Sequence, residues 1–401
     1  MTTRPLVTYF LHVSNEAPAR TDETRTQRGD VLALLRDAGP LPRIEIARRT
    51  GVSPTTITRT VNQLIDENVL VEGNSVSPSK LGRPATEVSI NAESYYVVGV
   101  QIGIGSVQLG LVDVLGSTHD QHAFAYDIAT PVHEVIATTA EAVSTLIESS
   151  PIDSRLVIGV GIAVPGPVDA AGRRILLPIN LDWRDVPVAD IMEPLIGLPV
   201  RVDHNVRSMA LAEHRFGVAQ DCESVAFVYL RTGLGAGLVV HGQPFSGGVH
   251  GAIELGHLQG VADGASCICG STGCLETVLS ERALREQATA LGLDESDGNP
   301  LTAMWHAAET DKSAREAIDR IVAMLSHGLA AFVNLLNPEL ILLGGALAAV
   351  PDAFFERVTA TTNRAVFPLL RPSVRIEPSS LGMDAGVLGG ATSALERYFY
   401  V

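Results

Sequence analysis

The stretch Glu254 to Cys274, "ELGHLQGVADGASCICGSTGC", gathers side chains that can hold a metal: His257, Cys267, Cys269 and Cys274. The chain has four cysteines, and three of them lie here. A His-x9-Cys-x-Cys-x4-Cys spacing suits a metal site better than a disulfide framework. Zinc prefers thiolate and imidazole in a tetrahedron, and the intervening Gly and Ser let one loop close around one ion. Four protein ligands leave no position for a catalytic water, so the expected Zn2+ is structural. Cys222 stands apart, at the start of an expected strand, and reads as a buried thiol.

A second set of candidates lies near the start of the chain. Ser53 suits a helix N-cap and Pro54 a first helical position. Ile57, Val61, Leu64 and Ile65 then mark the buried face of a helix. Its other face shows Thr55, Thr56, Thr58, Arg59 and Asn62, with Gln63 nearer the edge. Short hydroxyls, an amide and an arginine can donate and accept at base edges in a major groove. Arg48 and Arg49, on the preceding helix, are placed to meet phosphates. Arg83, between Gly82 and Pro84 at a hairpin tip, would suit an A·T-rich minor groove.

These groups need elements to hold them. Val31, Leu34, Leu35 and Ala38 indicate a first helix that stops at Gly39-Pro40. "RIEIARRT" is a second helix, ended by Gly51, and "VLVEGNSVSPSKLGRPATEVSI" alternates like a hairpin. Three helices and a hairpin make a winged helix-turn-helix over residues 29–92, preceded by a tail at 1–28. From Tyr95, apolar strands and helical segments alternate to residue 401, which indicates α/β layers. "YYVVGVQIGIGSVQLGLVDVLG" reads as two strands joined by a glycine turn. Glycines and short apolar strands recur in both halves of 95–401, which indicates two lobes with a cleft between them.

Charge separates the two regions. The whole chain carries −16, too acidic for wholesale coating of nucleic acid. Residues 1–90 carry +1 and the remainder −17, so DNA contact belongs to the first region. Leu6 to Val13 is apolar but lacks the flanks of a secretory signal, and no run of about 18 apolar residues indicates a membrane span. The expected compartment is the cytoplasm, with no membrane partner.

The segment "GAIELGHLQG…CICGSTGCLE" closely resembles the signature of the ROK family, which groups sugar-responsive repressors with sugar kinases. "GIAVPGPVD", "LPINLDW", "RTGLGAG" and "NPELILLGGAL" extend the likeness over almost the whole chain from about residue 29. The resemblance implies an actin-like (ribonuclease H-like) ATPase fold of two α/β lobes over residues 95–401, with the zinc loop at 257–274. It also implies a sugar pocket formed by His204, Asn205, Glu254, His257 and Glu276, with Asn180 beside them. Carboxylates and imidazole can bridge neighbouring hydroxyls. One ring nitrogen of His257 can bind zinc while the other faces the sugar.

Two departures from the family kinases bear on catalysis. Their general base, an acid, falls here on Asn205 in "VDHNVRSMALAE", and an amide cannot take a proton as a carboxylate can. Asp203, on an extended segment, would point the same way as Asn205 but be displaced along the chain by about 6–7 Å, too far to substitute. Their Asp-x-Gly-Gly-Thr after the first strand is here Gln101-Ile102-Gly103-Ile104-Gly105, without the acid that helps hold Mg2+. Thr232-Gly233-Leu234-Gly235 is retained, but close packing also calls for such glycines. The expectation is a sugar-responsive DNA-binding repressor with no catalytic residue. Its partners would be operator DNA and a sugar or sugar derivative, and it would form a homodimer or homotetramer. The rivals are an ATP-dependent sugar kinase that also binds DNA, and a regulator that answers to a protein partner.

Overall fold

The computed structural model describes residues 26–76, 85–178, 180–248, 251, 253–293 and 298–401. Most of the expected tail, and the hairpin tip with Arg83, lie outside the described residues.

Helices α1 (Gln27–Ala38), α2 (Arg43–Thr50) and α3 (Pro54–Asp66) precede a small sheet of order β1-β3-β2, formed by β1 (Leu41–Pro42), β2 (Leu70–Val76) and β3 (Ala85–Ile90). Helix α1 starts earlier than the apolar period from Val31 indicated, because Thr26 caps it and accepts from Gly29 N at 3.2 Å. Gly51, at φ +70°, ends α2 in the left-handed region, and Ser53 caps α3 by accepting from Thr56 N at 3.2 Å. Ile57, Val61 and Leu64 are buried as the period required, and Ile65 is half-buried.

Two larger sheets follow. The first runs β6-β5-β4-β7-β8, from β4 (Tyr96–Ile102), β5 (Ser106–Asp113), β6 (Thr118–Ala125), β7 (Val157–Val164) and β8 (Val200–His204). Helices α4 (Val132–Ser149) and α5 (Val188–Ile196) cover it. Helix α6 (Asn205–Phe216) leads on to the second sheet, β11-β10-β9-β12-β13. Its strands are β9 (Ser224–Leu230), β10 (Leu234–Val240), β11 (Gln243–Pro244), β12 (Leu340–Gly345) and β13 (Arg375–Pro378). In each sheet three strands are antiparallel and two run parallel to the first. This repeated order is the two-lobed actin-like architecture that the resemblance implied.

Helices α7 (Glu281–Ala290), α8 (Pro300–Ala307), α9 (Lys312–Leu336) and α10 (Asp352–Ala365) pack on the second sheet. Helix α9 is long and apolar enough by composition to cross a bilayer. Its Ile318, Ile321, Leu325, Leu329 and Val333 are instead buried in the second-lobe core. Helix α11 (Ala385–Tyr398) returns to the first sheet at backbone distance. A Cβ on Gly161 of β7 would sit 1.9 Å from the carbonyl oxygen of Gly390 in α11, so this approach requires glycine. One apolar core joins Val31, Leu32 and Leu35 of α1 to Ala212 of α6 and to Leu388, Ala391 and Leu395 of α11. The winged helix is thereby seated on the two-lobed region through buried side chains.

Candidate effector cleft, metal cluster and nucleic-acid interface

The metal candidates meet. The ligand atoms of His257, Cys267, Cys269 and Cys274 all lie within 4.8 Å of one another. Cys267 Sγ is 3.6 Å from His257 Nδ1, and Cys269 Sγ is 3.7 Å from Cys274 Sγ. A zinc tetrahedron with ordinary bond lengths has edges of about 3.6 Å from nitrogen to sulfur and about 3.8 Å between sulfurs. The donor set and its spacing therefore fit zinc. The loop closes by Cys267 N donating to Ser271 O at 2.8 Å and Gly270 N to Cys267 O at 3.0 Å. Gly273 has φ +70°, and a Cβ there would meet Val261 O at 1.8 Å. Since Nδ1 faces the sulfurs, Nε2 of His257 is the nitrogen left for another partner.

The cluster adjoins a cleft between the lobes. Asn180, His204, Asn205, Glu254, His257 and Glu276 all line it, with Gln101 and the glycine turn at Thr232–Gly235. Glu254 precedes a short 3-10 turn, Leu255–His257, and Glu276 lies in another, Leu275–Thr277, directly after Cys274. The loop of His257 and the three cysteines thus adjoins both acids. Burial pushes the Glu254 carboxyl above the usual carboxylate range, His257 opposes the shift and Glu276 adds to it. Glu276 Oε2 accepts from Leu234 N at 3.1 Å. A Cβ on Gly233 would meet that same carboxylate at 2.4 Å. Packing of Glu276 therefore accounts for Gly233 without a phosphate.

The first-lobe side of the cleft differs from expectation at Asp203. Strand β8 ends at His204 and Asn205 opens α6, so the two residues do not share an extended segment. Asp203 is buried, and its Oδ1 accepts from His204 N at 2.7 Å and from Arg207 Nε at 2.8 Å. Ser393 Oγ of α11 donates to its other oxygen at 3.2 Å. These partners turn Asp203 away from the cleft, which it does not line. His204 is buried too, and burial with the nearby Arg207 charge lowers its pKa to about 4. It is neutral near pH 7, able to donate at one nitrogen and accept at the other.

On α3, Thr55, Thr58, Arg59 and Asn62 line one exposed concavity with Gln63 and Asp66. Thr56 departs from that face: it is half-buried and shares a 2.7 Å hydrogen bond with Ser53. Asn62 Oδ1 accepts from Arg43 Nη2 at 2.9 Å, and Arg43 also pairs with Glu72. The sequence reading missed Arg43, because nothing in the spacing joins residues 43, 62 and 72. Arg48 and Arg49 are exposed, and both donate to Glu45 at 2.6 Å. Cys222 is buried beside β9, and burial pushes its thiol above the ordinary range.

Comparison with known proteins agrees with the fold. Residues 25–71 match the winged helix-turn-helix DNA-binding family, and residues 97–397 match the ROK family. The chain is 28% identical to a putative xylose repressor from Caldicellulosiruptor sp. (strain Rt8B.4), over 90% of this chain and 92% of that protein. Its fold resembles a ROK family transcriptional regulator described as a homolog of the E. coli MLC protein, with a TM-score of 0.79 and 26% identity over 92% of this chain and 95% of that one. It also resembles a ROK family glucokinase from Streptomyces griseus, solved with glucose and AMPPNP, with a TM-score of 0.64 and 28% identity. That likeness covers 98% of the glucokinase but 74% of this chain. With its two-lobed fold, its cysteine-rich loop and a family match over three quarters of its length, the chain belongs to the ROK family.

Proposed function

We propose that this protein is a transcriptional repressor whose two-lobed region binds a sugar and transfers no phosphate. The observation that carries the reading is the cleft. It gathers two acids, two imidazoles and three amides, yet an amide, Asn205, holds the place of the kinases' general base. Glu254, Glu276 and His257 read hydroxyls from the second lobe, and His204, Asn205 and Asn180 from the first. Zn2+ bound by His257, Cys267, Cys269 and Cys274 is structural: it fixes the tautomer of His257 and the aim of both acids. Gln101 on β4 offers no charge to a metal-bound nucleotide.

In this reading Thr55, Thr58, Arg59 and Asn62 contact base edges, and Arg48 and Arg49 exchange Glu45 for phosphates. Thr56 stabilises the start of α3 rather than meeting a base, and Arg83 is the candidate wing contact. Sugar favours one lobe arrangement, which alters the spacing of two winged helices on a pseudo-palindromic operator in a cytoplasmic homodimer or homotetramer. The rival reading, a sugar kinase that also binds DNA, has the glucokinase likeness behind it. Asn205, Gln101 and the diverted Asp203 speak against it. A thermal-shift screen against D-xylose, D-glucose and their phosphates separates the readings. We expect one of these to raise Tm without ATP, and no sugar phosphate to form when ATP is added. Phosphate transfer would overturn the proposal.

A further inference from the structure

Helix α6 touches both functional ends of the molecule. At its start, His204 and Asn205 line the cleft. At its other end the Arg215 side chain, 4% exposed, donates Nε to Glu396 Oε1 at 2.6 Å. Arg36 of α1, 2% exposed, donates Nη1 to the same oxygen at 2.6 Å. Twelve helical residues at about 1.5 Å each place these two ends about 18 Å apart.

The helix has little freedom to move alone. Glu213 is fully buried and accepts from Ser379 Oγ at 2.6 Å, Ser380 N at 2.8 Å and Ser380 Oγ at 2.8 Å. Arg36 is equally confined: its guanidinium lies 4.4 Å over the Tyr400 ring, and Tyr400 donates its hydroxyl to Val114 O at 2.5 Å. Two buried cations here share one carboxylate oxygen. Arg36 also donates to Asp37 of its own helix at 2.7 Å and would keep that partner, but separation would take a carboxylate from both buried guanidinium groups, so the pairing resists separation more than an exposed ion pair does. Burial also keeps Arg36 from any DNA phosphate, although it belongs to the DNA-reading domain.

We propose that α6 carries the state of the cleft to the winged helix, and that Glu396 is the positioning residue that makes α1 follow α6. This rests on the functional reading above. The effector-side displacement enters at Asn205, travels along α6 as a rigid element, and leaves through Arg215, Glu396 and Arg36. The winged helix then turns with α6 rather than swinging on its linker.

Arg36→Met in the full chain is the sharpest variant, because it leaves the Arg215–Glu396 pair in place. Glu396→Gln is its companion. Hydrogen exchange is read first, with no sugar present. The relay predicts that Arg36→Met speeds exchange about tenfold in the last two turns of α6, residues 210–216, as well as in α1, with β9 and β12 unchanged. A contact that merely fastens α1 would speed α1 alone, and that result would overturn the proposal. Operator affinity is then measured with and without D-xylose or D-glucose, alongside calorimetry of the same sugar. The expected variant binds sugar as the wild type does, yet its operator affinity changes less than about twofold on adding sugar. A full sugar response in Arg36→Met would also overturn the relay. Should neither sugar bind the wild type, the reading of the cleft is at fault, and exchange in α6 alone decides the relay.

Discussion

The two lobes share a strand order and bring different chemistry to the cleft they enclose. The second lobe presents Glu254, His257 and Glu276 on short turns around the loop that gathers His257 with three cysteines, and Glu276 also accepts from Leu234 N. The first lobe presents Gln101, neutral His204 and Asn205, with Asp203 turned away into Arg207 and Ser393. In the proposed reading the second lobe holds the sugar, while the first lines the cleft with no acid that could move a proton or anchor a metal-bound nucleotide. Sugar recognition and phosphate transfer would then reside in separable halves of one fold.

The largest expected effect comes from breaking the second lobe's side. Cys269→Ser should reduce bound zinc well below one per chain and lower sugar affinity about a hundredfold, because metal binding and loop folding are linked. Zinc content and calorimetry read this, while hydrogen exchange in α1–α3 should stay as in the wild type. A variant that kept full sugar affinity without zinc would separate the loop from the cleft. Glu254→Ala should cost less, about ten- to a hundredfold in sugar affinity, as expected for losing charge-assisted hydrogen bonds. Its Tm and its sugar-free operator affinity should stay near wild type, and an unchanged sugar response would remove Glu254 from the pocket.

The smallest effect belongs to the first lobe. His204 is neutral in the fold, with its pKa lowered to about 4, against about 6.5 in the unfolded chain. Between these values the unfolded chain binds more protons. The stability of neutral His204 is therefore complete above about pH 6.5 and is lost progressively as pH falls to about 4. His204→Asn should flatten the loss of Tm over that window, and an unaltered pH profile would show that other groups dominate.

Much of the site could be read in the sequence, for a physical reason. Metal ligands, caps and turn glycines act over short spacings, so His257 to Cys274, Ser53 and Gly51 announce themselves locally. Strands β4, β7 and β12 are buried on both faces and read as apolar runs. Strand β6, "THDQHAFA", is largely exposed and, among the described residues, pairs only with β5, so no apolar period marked it. Asp203 does not reach the cleft, but for a different reason than the expected extended segment: the chain turns from strand to helix at His204, which the flanking residues do not signal. The links from Arg36 to Glu396 and from Arg43 to Asn62 and Glu72 join residues distant in sequence. Only the fold makes them neighbours.

The central claim is that sugar acts here as a signal and leaves unchanged. Titrating D-xylose or D-glucose into the protein bound to a fluorescent operator duplex, with and without Mg2+ and ATP, tests it directly. The account predicts that one of these sugars releases the duplex equally in both conditions, and that mass spectrometry finds the sugar unphosphorylated. Release that requires ATP, or a sugar phosphate accumulating with turnover, would contradict it.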